Sequence, residues 1–267
     1  MEYLEFPAPA PLNALVRCFW FLRGDDSAGE AQVVVADGRF EIVLHLGDPF
    51  LRLDADGLAH RQDRCLLAGQ LTAPIRLKSH GVADVVGIRL RTAAAGAVLR
   101  CGLPELTDRV ESLADYDPTL GRALLEAAAG SPDPGDRIAA LTHVLSAAVA
   151  HPPDRLVTAV VRSLDVVPPP PVGRVADLYG VSARSLERRV LAGTGLAPSR
   201  LRRVLRFRRT FRMLDRAPAG TWARVAGEAG YFDQAHMVRD FRRFAGAPPS
   251  SFFRTEPDLA RAILSGG

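Results

Sequence analysis

Residues 229–252 read AGYFDQAHMVRDFRRFAGAPPSSF, and this stretch decides how the C-terminal third of the chain folds. Apolar residues recur in it at helical spacing, which predicts a helix with one buried side; they are Met237, Phe241 and Phe244. Asp233 suits the N-cap of that helix, and Gly230 suits a turn that requires positive φ. The side opposite the apolar stripe carries Ala235, Arg239, Arg242 and Arg243. The stretch is typical of a helix-turn-helix whose second helix presents arginines outward.

The same plan occurs earlier in the chain, in GRVADLYGVSARSLERRVLAGTGLAPSRLRRVL at residues 173–205. Here Gly180 is the turn glycine, and Ser182 is the expected N-cap. The residues expected to face the core are Val175, Leu178, Leu186 and Val190. A rotation of about 100° per residue places Arg184 and Arg188 on the far side of the second helix. Outward side chains near the N-terminus of such a helix reach base edges when it enters the major groove.

A strongly basic helix is predicted between the two units. It begins at Pro198, a residue type common at the first position of helices, and extends to Leu214. A helix of about 17 residues is about 25 Å long. It could hold two recognition helices roughly one turn of DNA, about 34 Å, apart.

Charge is divided unevenly along the chain. Residues 171–256 contain 17 arginines and 7 acidic residues, whereas residues 1–170 contain 16 basic and 22 acidic residues. A basic segment of this kind favours a polyanionic partner such as nucleic acid. A solvated charged face, or arginine abundance that reflects coding bias, would give the same count. The position of each arginine therefore has to decide.

These residues resemble the AraC/XylS family of bacterial transcription regulators, whose DNA-binding domain contains two helix-turn-helix units. The resemblance extends from about Val172 to Arg254 and rests above all on residues 229–252. It implies that the base-facing positions are occupied by Arg184, Glu187, Arg188, Gln234, Ala235, Val238 and Arg239. It further implies that Ser185 and His236 lie nearer to phosphate. The expected DNA-binding set is completed by Arg203, Arg242 and Arg243.

The chemistry of these side chains indicates what each could contact. Arginine suits guanine, glutamine suits adenine and glutamate suits cytosine, whereas Ala235 and Val238 can contact only a thymine methyl group. The second unit is therefore expected to read fewer bases than many relatives do. Two alternatives stay open. Glu187 could instead orient a neighbouring arginine through an ion pair, and Gln234 and Arg239 could form an exposed polar face without base contacts.

The N-terminal part has a different texture. Short runs rich in β-branched, leucine and aromatic residues predict an antiparallel barrel or sandwich of about six to eight strands. The runs are residues 15–24, 31–36, 40–46, 50–53, 65–69, 74–79 and 84–91. Later, alanine and leucine at helical spacing predict helices over 119–129 and 137–150, and Asp154 is expected to cap a third helix that extends to about Leu164. The family resemblance implies a sensor domain, often a cupin-like barrel, at the N-terminus.

We therefore expect an α+β chain. An N-terminal antiparallel cupin-like β-barrel is followed by helices and then by an all-α C-terminal domain with two helix-turn-helix motifs. The expected divisions are a β-barrel-like sensor domain at 1–100, a helical connector or dimerisation region at 101–167, the DNA-binding domain at 168–256 and a C-terminal tail at 257–267. The four prolines at 168–171 predict a stiff, extended spacer.

Catalysis and metal binding have no positive support in the sequence. The histidines His45, His60 and His80 stand singly, without an HxH or HExxH pattern. The cysteines Cys18, Cys65 and Cys101 are widely spaced and form no CxxC pair. We therefore predict no metal, no cofactor and no enzymatic activity. The sequence shows no secretory signal and no stretch suited to a membrane span, so a bacterial cytoplasmic protein without a membrane partner is expected.

The leading hypothesis is a sequence-specific DNA-binding transcriptional regulator whose N-terminal domain senses an effector or mediates dimerisation. Double-stranded DNA is the expected partner. A small-molecule effector, a second copy of the chain, and RNA polymerase if the protein is an activator are further candidates. One alternative is a small-molecule-binding or enzymatic barrel with a C-terminal domain that binds nucleic acid non-specifically. Another is an architectural DNA-binding protein without sequence preference.

Overall fold

The computed structural model describes residues 1–25, 29–216 and 221–255, so the tail expected at 257–267 lies outside the described residues. Within these ranges the chain forms ten strands: β1 (Glu2–Pro7), β2 (Val16–Asp25), β3 (Gln32–Val34), β4 (Glu41–His45), β5 (Leu51–Leu53), β6 (Ala59–Arg61), β7 (Cys65–Ala68), β8 (Ile75–Lys78), β9 (Val82–Leu90) and β10 (Val110–Ser112). The described α-helices are α1 (Ala95–Val98), α2 (Pro118–Ala129), α3 (Pro134–Ala148), α4 (Arg155–Leu164), α5 (Val172–Leu178), α6 (Ala183–Thr194), α7 (Pro198–Arg216), α8 (Trp222–Glu228), α9 (Gln234–Ala245) and α10 (Pro249–Thr255).

The strands form two antiparallel sheets. The larger has the order β1-β2-β9-β4-β7-β10, and the smaller has the order β3-β8-β5-β6. The expected N-terminal antiparallel domain is thus confirmed. Among the described strands the sheets do not close into one cylinder, so this cupin-like domain is a sandwich rather than a barrel.

All seven runs expected to be strands contain one, whereas β1, β6 and β10 were not predicted. β6 and β10 have three residues each, too few for an alternating pattern to be visible. β10 lies beyond residue 100 and extends the larger sheet by pairing with β7.

A close approach between β2 and β9 shapes the inside of the sandwich. Trp20 pairs with Gly87 in the register of these strands. A Cβ atom at position 87 would lie 1.8 Å from an indole ring atom of Trp20, so a side chain there would displace the ring. Glycine at this position therefore leaves room for the indole of Trp20 against the neighbouring strand.

The helices after the sheets divide between two hydrophobic cores. Leu124 of α2 and Leu141 of α3 are fully buried in the core that contains Ile42 and Ile88 of the larger sheet. Helix α4 belongs to the other core, which the helices of the C-terminal part share. Its expected cap is confirmed, because Asp154 accepts hydrogen bonds from two backbone N–H groups of the first turn. The region taken as a connector therefore packs partly on the sandwich and partly on the C-terminal helices.

The C-terminal core is built around aromatic rings. The ring of Phe207 in α7 lies 5.2 Å from the rings of Phe241 and Phe244 in α9, measured between centroids. Phe252 of α10 packs edge-on against Phe211. Aromatic pairs of this geometry stabilise beyond the area that they bury, so α7, α9 and α10 share one packed core.

Histidine 45 is buried at the end of β4, with 1% of its surface exposed. Its ring lies 5.3 Å from that of Phe50. Burial lowers its pKa to about 4, with Arg64 adding to the effect and Gln62 opposing it. The imidazole is therefore neutral in the folded chain at pH values where an unfolded chain would bind a proton.

We expect stability to decrease as the pH falls from about 6.5 towards 4, because only the unfolded state then binds a proton at this position. At about pH 5 this corresponds to roughly 2 kcal/mol. His45→Leu should remove that part of the pH dependence. Urea unfolding of both proteins at neutral pH and near pH 5 measures this contribution. If the free energy of unfolding of the variant still changed as much between the two pH values as that of the wild type, His45 would not be its source.

Candidate nucleic-acid interface

The first unit attaches α6 to the core by one side. Ser182 caps the helix by accepting a hydrogen bond from the backbone N–H of the half-buried Ser185 at 3.2 Å. Gly180 has the expected positive φ, 61°. Leu186 and Val190 are buried. The exposed side carries Arg184, Glu187 and Arg188.

One expectation for this unit is wrong. Leu178 is 71% exposed rather than packed in the core with Val175. The buried residues of α5 are Val175 and Ala176. Tyr179, directly after the helix, is half-buried against the same core, and its hydroxyl donates to the Ala159 carbonyl oxygen in α4. Successive residues of a helix are rotated by about 100°. With Val175 and Ala176 on the buried side of α5, the side chain of Leu178 points to solvent.

The second unit repeats the geometry. Asp233 caps α9 by accepting a hydrogen bond from the backbone N–H of His236 at 2.6 Å, and Gly230 has a φ of 81°. The expected stripe is buried: Met237, Phe241 and Phe244. The exposed residues are Gln234, Ala235, Arg239, Arg242 and Arg243, while His236 and Val238 are half-buried.

A buried acidic residue that the sequence analysis did not single out holds α9 on α7. Asp240 has no exposed surface. Its two carboxylate oxygens accept hydrogen bonds from Arg203 at 2.6 Å and from Arg206 at 2.7 Å. Arg203, expected to bind DNA, is therefore engaged within the domain, although 41% of its side chain remains exposed.

Arg206 also organises the start of α9. Its guanidinium lies 3.9 Å from the centroid of the Tyr231 ring and donates to Nε2 of His236 at 3.1 Å. Burial lowers the pKa of His236, and the positive charge of Arg206 adds to this. Because Nε2 accepts a hydrogen bond, the neutral imidazole carries its proton on Nδ1. His236 can thus donate one N–H from a fixed position.

Other arginines of the basic segment also have internal partners. Asp165 accepts from Arg208 at 2.8 Å and from Arg209 at 3.0 Å. Arg189 of α6 makes an ion pair with Asp154, the N-cap of α4, at 2.7 Å. These arginines connect helices to one another, so they do not supply the outward charge that the sequence count suggested.

A second set of arginines has no acidic partner. In the described ranges no carboxylate lies within ion-pair distance of Arg184, Arg188, Arg239, Arg242 or Arg243. Likewise, no cation of the described residues lies within ion-pair distance of Glu187. The ion pair with a neighbouring arginine that we considered for Glu187 is therefore not formed in the free protein. Two capped helices therefore present uncompensated guanidinium groups outward, and the positive N-terminal ends of the helices add to that field.

The sandwich contacts the C-terminal ends of both α6 and α9. Gln70, fully buried, donates from Nε2 to the carbonyl oxygen of Thr194 at the end of α6. The backbone N–H of Ala36 donates to the carbonyl oxygen of Phe244 near the end of α9 at 3.2 Å. The N-terminal domain thus contacts α6 and α9 at their C-terminal ends. The outward side chains near the N-termini of both helices stay clear of these contacts.

A cavity of about 110 Å³ lies between the two sheets. Its wall is mainly apolar and includes Trp20, Phe50, Leu66 and Leu77, with Arg39 among the polar residues. In the described part of the chain, no group of three metal-ligating side chains is found, and no helix is long and apolar enough to cross a bilayer.

This fold and this surface define a helix-turn-helix DNA-binding protein. Residues 175–255 match a family model described as a helix-turn-helix domain, and residues 4–112 match one described as a domain of unknown function (DUF6597). The C-terminal region is an AraC-type helix-turn-helix domain, a kind of domain that binds DNA.

The chain is similar to an apo ToxT variant from Vibrio cholerae strain SCE256, with 11% identity over 93% of this chain and 99% of that chain and a TM-score of 0.50. It is also similar to unsaturated fatty acid-bound wild-type ToxT from the same strain, with 12% identity, coverage of 89% and 99%, and a TM-score of 0.48. The C-terminal domain of AraT, a response regulator from Geobacillus stearothermophilus, matches with 20% identity, coverage of 38% and 82%, and a TM-score of 0.33. The similarity to the apo ToxT variant supports a common fold. No curated protein shows significant similarity to the chain.

Because Asp240 is buried between two cations, Asp240→Ala should destabilise the protein by about 3–5 kcal/mol, leaving Arg206 without its carboxylate. Asp177→Ala, at an exposed aspartate of α5, is the matched control and should change stability by less than about 0.5 kcal/mol. Chemical unfolding of the two variants measures the difference. Equal stabilities would show that the buried ion pairs do not hold α9.

Proposed function

We propose that the protein recognises specific DNA sequences through the N-terminal parts of α6 and α9. The observation that carries this proposal is the pair of capped helices whose outward arginines lack acidic partners among the described residues. Arginines that are buried in ion pairs could not recognise DNA, because only side chains that point away from the core can reach a base edge. The connecting helix α7 sets the spacing, and the two helices enter neighbouring major grooves about 34 Å apart.

The side chains divide into two proposed roles. Base edges are read by Arg184, Glu187, Arg188, Gln234, Ala235, Val238 and Arg239. In this scheme the arginines bind guanine, Gln234 binds adenine and Glu187 binds cytosine, while Ala235 and Val238 contact thymine methyl groups. Phosphate contacts come from Ser185, Arg203, His236, Arg242 and Arg243. The Nδ1–H of His236 and the exposed part of Arg203 are compatible with this second role.

The N-terminal domain is proposed to bind a small-molecule effector in the cavity between its sheets. Support comes from its apolar wall and from the contacts of the sandwich to both recognition helices. Binding would regulate DNA recognition if the effector had different affinities for two arrangements of these contacts. We also propose action in the bacterial cytoplasm, a homodimer as the binding form, and contact with RNA polymerase if the protein activates transcription. Regulation, rather than catalysis, is its proposed activity.

The proposed division of the chain follows these roles. Residues 1–100 form the sensor together with β10 from the following segment, residues 101–167 otherwise connect it, and residues 168–256 bind DNA. Helix α4 and the proline run pack on the DNA-binding helices, since the Pro170 carbonyl oxygen accepts a hydrogen bond from Arg202 at 3.2 Å. The connection between the two proposed domains is therefore packed on the DNA-binding helices at its C-terminal end.

Selection of bound fragments from a random DNA pool by the full chain should yield a recurrent sequence. On that sequence Arg184→Ala and Arg239→Ala should each cost about 1–3 kcal/mol and relax the preference at one base pair. Arg189→Ala is the matched control, because Arg189 lies on α6 with Arg184 but is paired with Asp154. This variant should retain the base preference.

Binding to selected and random duplexes at fixed salt gives the measurement. Equal losses on both duplexes would show that these arginines contact only phosphate. A pool that yields no recurrent sequence would favour an architectural DNA-binding protein.

A further inference from the structure

The turns of the two helix-turn-helix units follow the same path up to the residue after the turn glycine. In the first unit the backbone N–H of Val181 donates to the carbonyl oxygen of Ala176 at 3.1 Å. In the second unit the backbone N–H of Tyr231 donates to the carbonyl oxygen of Ala226 at 2.9 Å. Val181 and Tyr231 both pack on the C-terminal core. The two units can therefore be compared residue by residue from this point.

The second unit has one residue more between the turn and its second helix. In the first unit Ser182, the N-cap of α6, comes directly after Val181. In the second unit Phe232 stands between Tyr231 and the N-cap Asp233. Because Tyr231 fills the inward position, the additional residue is left on the outside. Phe232 is 94% exposed, the largest exposed fraction among the large apolar side chains of the described residues.

The backbone on both sides of Phe232 is held in place. Tyr231 is buried, and the centroid of its ring lies 3.9 Å from the guanidinium of Arg206. Asp233 accepts the hydrogen bond from the backbone N–H of His236 that caps α9. Phe232 thus leaves the protein surface from a fixed point, directly before the N-terminal end of α9.

The outward side of α9 is also more apolar than that of α6. Counted from the N-caps, Ala235 and Val238 occupy the positions that Arg184 and Glu187 occupy in α6. Residues three apart lie on the same side of a helix, so Ala235 and Val238 are neighbours on α9. Phe232 precedes them at the same spacing in the chain and adds a third apolar side chain at the N-terminal end of the helix.

An apolar ring at this place fits only some groups of a DNA duplex. A phenyl ring has no hydrogen-bond donor to replace the water around a phosphate, and the carboxylate of the adjacent Asp233 repels phosphate. The N-terminal end of a recognition helix enters the major groove. The C5-methyl group of thymine is the apolar group that base pairs present there, and phenylalanine is among the side chains that contact it. Thymine is therefore the base that suits Phe232.

We infer that Phe232 is a further specificity-determining residue, whose ring contacts the methyl group of a thymine beside the base pairs read by α9. The inference rests on the proposed DNA recognition and adds a contact to it. It also gives the two units different chemistry. The outward side of α6 reads bases through charged side chains, whereas that of α9 gains an apolar contact from a residue outside the helix.

Deoxyuridine differs from thymidine only in lacking the C5-methyl group, so its incorporation into DNA tests the inference. The full chain first selects its DNA sequence, and each thymine of that sequence is then replaced singly by deoxyuridine. At one thymine the wild type should lose about four-fold in affinity, the effect of removing one buried methyl-sized group.

Phe232→Ala should bind the unmodified duplex more weakly by at least the same factor. Replacing that same thymine should then cost this variant nothing further, because the two changes remove one contact. Thymines contacted by Ala235 or Val238 should keep their effect in this variant.

Leu58→Ala is the matched control. Leu58 is also a large apolar residue, is 62% exposed and lies between β5 and β6 of the sandwich. This variant should bind every duplex as the wild type does. Phe232→Ala should keep the unfolding midpoint of the wild type, since truncation of an exposed side chain leaves the core intact.

Three results would overturn the inference. Phe232→Ala could bind the selected duplex as tightly as the wild type, which would leave the ring for solvent or a protein partner. It could lose the same affinity on selected and random duplexes, which would place the ring against the sugar–phosphate backbone. Deoxyuridine could affect no position in the wild type, or all of its effects could persist in Phe232→Ala.

Arg184→Ala and Arg239→Ala separate this inference from the proposed function. If these variants relax the base preference while Phe232→Ala leaves it unchanged, only the role of Phe232 is refuted. A chain that selects no recurrent sequence refutes the proposed DNA recognition itself.

Discussion

The buried carboxylate of Asp240 lies between two guanidinium groups of α7, and this contact limits how α9 can rotate about its own axis. A carboxylate without exposed surface is stable only while its cations stay in place, and removing one partner of such a pair is strongly destabilising. Rotation of α9 by one residue, about 100°, would replace Asp240 by a cation or an aromatic ring against Arg206. The outward direction of Gln234 and Arg239 therefore follows from a buried ion pair as well as from the apolar stripe.

The distribution of arginines shows why charge counts overestimate a DNA-binding surface. Several arginines of the basic segment hold helices together through Asp154, Asp165 and Asp240, and each of these acids receives one or two guanidinium groups. Among the described residues, the arginines of α6 and α9 without an acid nearby remain for an external partner, and exposed arginines elsewhere in the segment, such as Arg174, Arg200 and Arg254, remain with them. Arginine serves both purposes because its planar group can satisfy a buried carboxylate or a base edge with the same donors. Composition cannot separate the two uses, whereas the partner of each side chain can.

Local signals in the sequence were sufficient for the two helix-turn-helix units. The caps at Ser182 and Asp233 and the turn glycines were predictable because capping and positive φ depend on residues next to one another. Leu178 was misplaced because Tyr179 takes the inward position through contacts with α4, a helix outside the unit. Asp240 and the docking of the sandwich on both recognition helices were not predictable for the same reason. Such pairings join residues far apart in the chain, and no periodic pattern encodes them.

Two segments link the cavity to the DNA-binding domain, one directly after β3 and one directly after β7. Val35 and Asp37 line the cavity, and Ala36 between them is bonded to the end of α9; Gly69 and Leu71 line it, and Gln70 between them is bonded to the end of α6. Because protein interiors are densely packed, a molecule that displaces either segment has to shift or break a contact to a recognition helix. The two segments belong to one cavity wall, so the effector proposed for this cavity would touch both of them at once.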